Sequence, residues 1–368
     1  MPPEKLHWKH LYEEVVTSGL CTGCAACVIA CPHDVLGYDG SYHPFHLEEE
    51  GGPGGCIHGD KGCTLCTRAC PRFREWEKDA DEFLFGRSRR PEETIGVFEK
   101  ILLTRSTRPE VVQAGQDGGT CSEILIWALE NDIIDGALVS YLDGDGTQWR
   151  AVAGVATTPE EVLRASGSRY TYSANTLAYR QAVERGLERL ALVGMSCQAS
   201  APAIMSQRGV RKIARRIVLT LGLLCSKTFT EAIFEDLLQT QYGLPRSEIT
   251  KMNIKGRLQI WTRSGNYVEV PLKECHRFTR EGCKTCPDFA AEHADLSLGG
   301  LGQTDGWTLT IVRTPKGADI VERMIAEGRL EARSGDEDPD ALALLYKLAA
   351  KQRKRWTDPA AQPALTAG

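Results

Sequence analysis

The pattern of hydrophobic and polar positions changes near residue 95. From there on, short apolar runs alternate with amphipathic segments, which is typical of an α/β fold. The predicted strands cover residues 95–104, 136–141, 190–194 and 217–221, with a β-hairpin over 251–272 that turns at 264–266. The predicted helices cover residues 122–130, 174–186, 203–208, 318–327 and 340–355, and a short helix precedes residue 20.

The same pattern divides the chain into five segments. A cysteine-rich module over residues 1–75 is followed by a charged connector over 76–94. Two α/β regions come next, at 95–175 and 176–340, and a helix with a flexible tail occupies 341–368. The charge run in the connector predicts a solvated face rather than a docking site. The Ala- and Pro-rich end of the tail is predicted to be disordered.

Cysteine spacing indicates the chemistry of the N-terminal module. The segment CTGCAACVIACP at 21–32 has the spacing of bacterial-type ferredoxins, in which the fourth cysteine serves the other cluster of a pair. A second set, at 56–71, ends in the same way, but its first cysteine lies further upstream. We therefore predict two interleaved [4Fe–4S] clusters in a ferredoxin-like module. One takes Cys21, Cys24, Cys27 and Cys70, and the other takes Cys31, Cys56, Cys63 and Cys66.

Zinc is the alternative ligand of these cysteines. Zinc sites usually show two C-x2-C pairs with a longer spacer, or mixtures of cysteine and histidine. Four cysteines packed into 21–31 and closed by Pro32 favour iron–sulfur clusters instead. The nearby histidines are interpreted as loop residues rather than ligands; they are His33, His43, His46 and His58.

Two more cysteines, Cys197 and Cys225, follow neighbouring predicted strands. Each lies just past the carboxyl end of its strand, where ligands collect in open α/β sheets. A further C-x2-C-P at 283–287 needs two more ligands to close a site. We predict a third [4Fe–4S] cluster, with zinc again the alternative, held by Cys197, Cys225, Cys283 and Cys286. Cys121 and Cys275 have no spaced partner and are predicted to be ordinary thiols.

A glycine-rich loop precedes the predicted helix at 122–130. The segment QDGGT at 116–120 lies between a strand and a helix, where backbone N–H groups at a helix N-terminus form an anion pocket. Gly118 and Gly119 let the backbone approach a phosphate closely. The spacing is neither that of a Walker loop nor GxGxxG, so a plain turn with a helix cap is the alternative.

Composition narrows the classes of function. The formal net charge of -5 gives no support to nucleic-acid binding. No apolar run approaches the roughly 20 residues that a membrane span needs. The 14 cysteines, largely in ferredoxin spacing, predict metal thiolates in a reducing cytoplasm. We expect a cytoplasmic location also because the sequence shows neither a signal-peptide core nor a twin-arginine leader.

Seven short segments carry a family resemblance. They are DGG at 117–119, IDGALV at 134–139, ASGSRY at 165–170, GMSCQ at 194–198, LGLLCS at 221–226, REGCKTCPDF at 280–289 and ADLSLG at 294–299. In this order they resemble the family of the coenzyme F420-reducing hydrogenase beta subunit. That family also holds F420H2 dehydrogenase subunits, a ferredoxin-dependent divinyl chlorophyllide reductase and the hydroxymethyl chlorophyll reductase. The resemblance covers residues 21–314.

The resemblance implies a flavoprotein that binds FAD and, in many members, exchanges a hydride between FAD and coenzyme F420. The family's first flavin loop matches Gly118, Gly119 and Thr120, and its second matches Ser166, Gly167, Ser168 and Tyr170. Its cluster cysteines match the four assigned above to the third cluster. Arg169 stands where Lys is common, and Met195 and Ser196 stand where Thr-Pro is common, but neither departure removes a ligand.

Three functions compete. The first is an F420-linked FAD and iron–sulfur oxidoreductase that exchanges electrons with a ferredoxin or partner enzyme. The second is a ferredoxin-dependent reductase of a small organic substrate, and the third is an electron-transfer subunit of a larger dehydrogenase or hydrogenase complex. The built-in ferredoxin module counts against the third. Lys255 and Lys273 are candidate contacts for an anionic coenzyme, with solvated lysines as the alternative, and a homo-oligomer is possible.

Overall fold

The structure is a computed structural model that describes residues 5–47, 52–144, 146–301 and 306–355. In these ranges the strands are β1 (Leu36–Tyr38), β2 (Pro44–His46), β3 (Lys100–Ser106), β4 (Gly136–Leu142), β5 (Ala151–Ala156), β6 (Leu190–Met195), β7 (Ile217–Leu223), β8 (Ile249–Ile254), β9 (Arg257–Thr262), β10 (Tyr267–Pro271), β11 (Leu296–Gly299), β12 (Thr308–Val312) and β13 (Leu330–Ser334). They form three sheets, of which the largest has eight strands.

The α-helices surround these sheets. They are α1 (Trp8–Leu11), α2 (Ala26–Ala30), α3 (Ile57–Asp60), α4 (Leu65–Ala69), α5 (Glu77–Phe85), α6 (Pro109–Ala114), α7 (Thr120–Glu130), α8 (Pro159–Arg164), α9 (Ala178–Glu184), α10 (Ser196–Gln207), α11 (Arg211–Ala214), α12 (Thr240–Tyr242), α13 (Leu272–Cys275), α14 (Glu281–Lys284), α15 (Pro315–Ala326) and α16 (Pro339–Arg353). Two π-helical segments, Tyr12–Val16 and Ile233–Gln239, and four 3-10 turns, Asn175–Leu177, Arg246–Glu248, His276–Phe278 and Gly335–Glu337, complete the secondary structure.

The large sheet has the order β13-β3-β12-β11-β7-β6-β4-β5. Its centre, from β11 to β4, is parallel, and antiparallel strands flank it on both sides. The central strands read as continuous apolar runs because both faces of this part of the sheet are covered. This is the α/β architecture that the sequence predicts, and its strands come from both sides of the predicted boundary at residue 175.

Two hydrophobic cores sandwich the large sheet. On one face, α7 contributes Ile124 and Trp127, and α15 contributes Met324. On the other face, Leu138 and Leu192 of the sheet pack with α10 and with residues of the N-terminal module, among them Cys24, Ala26, Ile29 and Ala69. The cysteine-rich module is therefore part of the core of the molecule.

Much of the connector is exposed, as its charge predicts, but part of it is built into the fold. It contains α5, in which Ala80 and Asp81 are fully buried. Asp81 accepts hydrogen bonds from Arg89 and lies 2.9 Å from Nε2 of His293. The prediction fails at Asp81 and Arg89, because these residues face charged residues across the fold, and a local charge pattern carries no information on such partners.

Several element boundaries also differ from the predictions. The helix predicted at 203–208 begins seven residues earlier as α10, at Ser196 and directly before Cys197, since Ala199, Ala201 and Ala203 are all buried. The predicted hairpin is the β9–β10 pair, with the turn where expected, and β8 adds a third strand. The predicted disordered tail lies largely outside the described residues, which end at 355.

Candidate functional site

The first predicted set of cysteines, here called the inner set, comprises Cys21, Cys24, Cys27 and Cys70. All four are buried. Burial, and then the neighbouring thiol of Cys70, raises the pKa of Cys24 and of Cys27. The structure thus brings Cys70 to the first three cysteines across more than forty residues of sequence, which is the grouping that the interleaved assignment requires.

The second set, here called the outer set, comprises Cys31, Cys56, Cys63 and Cys66. These cysteines line a small cavity together with Trp8, His33 and His58. Burial raises the pKa of Cys66 to about 12, and the thiols of Cys63, Cys56 and Cys31 add to the effect. The rings of His33 and His58 stack at 3.7 Å beside the cavity, a contact that sequence reasoning missed.

The third set comprises Cys197, Cys225, Cys283 and Cys286. They line a second small cavity with Thr22 and Tyr172. Cys197 and Cys225 arrive there because β6 and β7 are parallel and in register, with Met195 opposite Leu223, so that both chains leave the sheet at the same edge. Burial and then Cys283 raise the pKa of Cys225, which places the C-x2-C pair next to the two strand ends.

Hydrogen bonds to sulfur occur in each set. Backbone N–H groups of Gly59, Arg72 and Thr228 donate to Cys56, Cys70 and Cys283 at 3.4, 3.4 and 3.5 Å. Such bonds stabilise a thiolate, whereas burial alone favours the neutral thiol. Clusters of buried thiols with N–H donors suit thiolates that are neutralised by bound iron.

The inner and third sets adjoin each other. Gly282, next to Cys283, packs so closely on the N-terminal loop that an added Cβ would lie 2.2 Å from the carbonyl oxygen of Cys21. Two arginines cross the same boundary: Arg280 donates to the carbonyl of Thr22 at 3.3 Å, and Arg72 donates to the carbonyl of Thr285 at 3.1 Å.

The first predicted flavin loop follows α6. Gly118 and Gly119 have φ values of +92° and +71°, which L side chains rarely adopt. An added Cβ on Gly119 would lie 2.7 Å from the carbonyl oxygen of Val111, so close backbone packing alone already requires this glycine. Thr120 is fully buried, and its hydroxyl pairs with that of Thr104 at 2.9 Å. The side chain of Thr120 is therefore part of the core, and only its backbone could contact a ligand.

The second predicted flavin loop, residues 166–170, lies against the first. The hydroxyl of Ser166 meets that of Ser122, in the first turn of α7, at 2.7 Å. Tyr170, whose φ is +59°, accepts a hydrogen bond from the backbone of Ile254 at 3.0 Å. Burial raises the pKa of Tyr170 to about 12, and the charge of Asp117 adds to this rise, so its side chain also neighbours the first loop.

The second loop continues into the third cysteine set. The backbone N–H of Phe229 donates to the carbonyl of Tyr170 at 2.9 Å, and that of Arg280 donates to the carbonyl of Thr228 at 3.2 Å. Thr228 in turn contacts the sulfur of Cys283. Hydrogen bonds therefore connect the two predicted flavin loops with the third set.

Sequence reasoning missed the side chains that join these parts. Arg280, Tyr172 and Arg72 contact residues distant in sequence, and no spacing rule marks them. The signal available was position: Arg280 and Tyr172 stand in or beside the segments that carry the family resemblance. The two candidate lysines separate, because Lys255 lies 3.4 Å from Asp117 of the first loop whereas Lys273 is exposed on α13.

The fold and the cysteine sets define an iron–sulfur protein of the electron-transferring oxidoreductases. Three family models match the chain. The N-terminal and C-terminal models of the coenzyme F420 hydrogenase/dehydrogenase beta subunit match residues 101–179 and 187–338, and a 4Fe-4S binding domain matches residues 14–36. The chain belongs to the family of coenzyme F420 hydrogenase/dehydrogenase beta subunits, as its sequence indicates.

Known relatives cover most of the chain. The beta subunit of coenzyme F420 hydrogenase of Methanothermobacter thermautotrophicus is 35% identical over 266 residues, 71% of this chain and 93% of that protein. An F(420)H(2) dehydrogenase subunit of Methanosarcina mazei is 28% identical over 93% of this chain and 91% of its own length. Coenzyme F420-dependent sulfite reductase of Methanocaldococcus jannaschii is 32% identical over 85% of this chain but only 47% of its own length.

A solved structure shows the same fold. A chain in the structure of the F420-reducing [NiFe] hydrogenase complex from Methanosarcina barkeri superposes with a TM-score of 0.68 at 30% identity. The match covers 72% of this chain and 91% of that chain.

In the part of this chain that the structure describes, the helices are all too short or too polar to cross a bilayer.

Proposed function

We propose that this protein exchanges a hydride between coenzyme F420 and FAD and passes single electrons through three [4Fe–4S] clusters to or from a ferredoxin or a partner enzyme. The observation that carries the proposal is the hydrogen-bonded connection from the second flavin loop at Tyr170, through Phe229 and Thr228, to Cys283. FAD supplies the switch between two-electron and one-electron chemistry, and clusters carry one electron each. The protein positions these groups side by side.

The second flavin loop is built to receive an anion. Arg169 is buried, and its guanidinium donates to the carbonyls of Ala165 and Ser166 at 3.0 and 2.8 Å and also to that of Gly167. In a trans peptide the next N–H points away from the carbonyl, so the N–H groups of Gly167 and Ser168 face away from Arg169. Adjacent outward N–H groups bind anions, which suits the diphosphate of FAD.

The charge of Arg169 supports the same assignment. Among the described residues no carboxylate pairs with this arginine, and burial lowers its pKa to about 10. A buried cation without a counter-charge is costly, and an anionic cofactor would compensate it. Arg169 would thus shape the loop and balance the charge of the cofactor that the loop holds.

The cysteine sets favour cubes over single zinc ions. In the described ranges no three His, Cys, Asp or Glu side chains converge on a point where one metal ion would fit. A four-cysteine zinc site requires this convergence, because each Zn–S distance is only about 2.3 Å. The ferredoxin spacing of Cys21 to Cys31, with Cys70 beside them, is that of cube ligands.

A second candidate function is that of an electron-transfer subunit in a larger complex. It is favoured by the relatives that are named as subunits and by the hydrogenase complex that contains the similar chain. The third set adjoins both the predicted flavin loops and the inner set. The outer set would then be the last in this series, and in a complex it would face the partner.

Anaerobic purification followed by two measurements tests the proposal. We expect about twelve iron atoms per chain, as three cubes require, and one FAD released on denaturation. Reduced F420 should bleach the flavin and drive reduction of an artificial one-electron acceptor. About four iron atoms would contradict the three-cube assignment, and absence of flavin bleaching with full FAD occupancy would contradict the F420 role.

A comparison with and without an added ferredoxin separates the candidate functions. A complete enzyme should reduce the ferredoxin in the presence of reduced F420 alone. An isolated subunit should bleach its flavin but turn over only after its partner is added. Reduction of FAD by reduced ferredoxin, without any reaction with F420, would favour the alternative of a ferredoxin-dependent reductase.

A further inference from the structure

Arg280 occupies the boundary between the inner and third cysteine sets. It is buried, with a relative exposure of 4%. Its guanidinium donates to the carbonyl of Thr22, which follows the first cysteine of the inner set, while its own backbone lies three residues before Cys283. One positive charge is thus placed beside both sets.

Aromatic rings hold the guanidinium in place. Its central carbon lies 3.7 Å from the centre of the Tyr172 ring and 4.7 Å from that of Tyr42. The two rings meet edge to face at 5.4 Å. Stacking on aromatic faces orients an arginine without neutralising it.

Among the described residues, no acidic side chain pairs with this charge. Within the described ranges no carboxylate forms an ion pair with Arg280, and its Nη1 has no hydrogen-bond partner. A buried cation in this state is expensive unless negative charge lies close by. Sulfurs of both cysteine sets lie beside it: Thr22, which accepts the hydrogen bond from Arg280, follows Cys21, and Tyr172, on which the guanidinium stacks, lies 3.6 Å from the sulfur of Cys197.

We propose that Arg280, oriented by Tyr172, is a positioning residue that sets the reduction potentials of the inner and third clusters together. The inference rests on the proposed function in one respect, namely that both sets hold cubes. A cube gains one negative charge on reduction, and net charge and hydrogen bonds at the sulfurs set its potential. A fixed cation beside two cubes therefore favours the reduced form of each.

Tyr172 adds an effect that is confined to the third set. Its hydroxyl lies 3.6 Å from the sulfur of Cys197, and toward a thiolate the hydroxyl is the donor. This hydrogen bond also favours the reduced cube, whose sulfurs carry more negative charge. Arg280 and Tyr172 should therefore be distinguishable, since one acts on two clusters and the other mainly on one.

The test is an anaerobic redox titration of the full-length protein, followed by electron paramagnetic resonance. At the potential where the wild-type inner and third clusters are half reduced, Arg280→Gln should lower their reduced-to-oxidised ratio about tenfold, equivalent to 59 mV for one electron. Arg280→Lys should keep the ratio within about twofold, because charge is retained. Tyr172→Phe should lower the ratio of the third cluster alone.

The outer cluster and a surface lysine provide controls. The outer set lies away from Arg280, so its signal, identified by its loss in Cys63→Ser, should stay unchanged. Lys284→Met removes a charge from the same loop as Cys283, but the side chain is 60% exposed and screened by water, so the potentials should hardly move.

The outcomes separate the inference from the proposed function. Too little iron in the wild type would remove the cubes and with them the proposed function. Full iron with equal potentials in wild type and Arg280→Gln would overturn the role of Arg280. Equal decreases for Arg280→Lys and Arg280→Gln would also overturn it, because packing rather than charge would then be the cause. If Arg280→Gln fails to load iron, Arg280→Lys and Tyr172→Phe still give shifted or unshifted potentials.

Discussion

Strained backbone conformations coincide at the two flavin loops. Asp117 and Tyr170 have φ values of +42° and +59°, and Gly118, Gly119 and Gly167 are also positive. A non-glycine residue in this region of φ costs free energy unless its surroundings enforce it, and such residues concentrate at functional sites. Seven other non-glycine residues of the described ranges share this region of φ, so the two loops are distinguished by strain together with their mutual contact between Ser122 and Ser166.

Arg169 gives the sharpest test at this site. Arg169→Met should reduce FAD occupancy at least tenfold, because the inward carbonyls lose their donor and the loop loses its outward N–H groups. The measurement is flavin released per chain on denaturation. Arg164→Met is the matched control, since this side chain is 71% exposed five residues earlier. Equal occupancy in both variants would return the loop to an ordinary turn.

Lys255 and Lys273 test the contact with an anionic coenzyme. Lys255→Met should weaken binding of reduced F420 about tenfold, as expected for one charge-assisted hydrogen bond. FAD occupancy should be unchanged. Lys273→Met should alter neither, because this residue lies on α13 and shares no contact with the flavin loops. A titration of reduced F420 by flavin bleaching measures both, and equal affinities for all three proteins would exclude Lys255 as a contact.

At the scale of residues, the sequence indicates the cysteine ligands better than the side chains that hold the ligand-bearing segments in place. The spacing of cysteines reflects the local turn that wraps a cube. The short intervals between Cys21 and Cys31 were therefore enough to predict these residues as cluster ligands. The contact between Arg280 and Thr22 joins positions 258 residues apart. Only the fold creates it, and no local pattern could have predicted that this arginine lies beside both sets.

Among the elements, α5 shows how a charged segment becomes structural. Arg89 pairs with Asp81 at 2.6 Å and with Glu292, and Glu292 also pairs with Arg353 of α16. The network joins the connector, the C-terminal helix and the segment that follows Cys286. Burial opposes ionisation of Asp81, but hydrogen bonds from Arg89 and His293 outweigh it and hold the pKa of this carboxyl well below its usual value.

Arg89→Met should therefore destabilise the protein strongly. Removing one partner of a buried pair costs about 3–5 kcal/mol, because the remaining carboxylates lose their counter-charge. Arg90→Met is the control: its side chain is 68% exposed, and a surface pair contributes at most about 1 kcal/mol. Denaturant unfolding of the anaerobic protein measures both variants. Similar losses would show that the network contributes little.

Two carboxyls of this network have pKa shifts of opposite direction, since hydrogen bonds lower the pKa of Asp81 and burial raises that of Glu292. A carboxyl with a depressed folded pKa stabilises the protein above its unfolded pKa of about 3.9. That contribution is lost as the pH falls through the folded pKa. The stability that Asp81 contributes should thus decline below about pH 4, so Asp81→Asn should be less stable at neutral pH and show a shallower acid decline than the wild type. An unchanged slope in Asp81→Asn would contradict the assignment.

Elements whose signals are local were predicted well. The central strands are buried on both faces, so their apolar runs were visible, and the turn at 264–266 carries glycine and asparagine. The start of α10 was missed because its first turn, Ser196 to Gln198, looks like a polar loop. Its polar side chains are satisfied by distant partners, as when Gln198 accepts a hydrogen bond from the backbone of Asn175.

For the whole molecule, the N-terminal module is a built-in part rather than an appended ferredoxin. Cys24 and Ala26 share a hydrophobic core with Leu138 and Leu192 of the large sheet. Arg208, at the end of α10, donates to the carbonyls of Cys70 and Phe73 at 3.0 and 3.1 Å. A module held in this way is expected to fold with the sheet, and composition along the chain gave no sign of it.

The inner and outer sets should therefore respond differently to loss of a ligand. Cys63→Ser removes a partly exposed ligand of the outer set and should lower iron by about four atoms per chain. FAD and flavin bleaching by reduced F420 should remain. Electron transfer to an external protein acceptor should fall, since the outer set is the last in the series of flavin loops, third set, inner set and outer set.

Cys24→Ser removes a ligand that belongs to the core, where metal binding and folding are coupled. It should lower iron by more than four atoms, lower the melting temperature and reduce FAD occupancy. Iron analysis, flavin release and thermal unfolding of both variants in one anaerobic series decide the matter. Loss of only four iron atoms in Cys24→Ser, with unchanged melting and full FAD, would mean that the module folds independently of the sheet on which it packs.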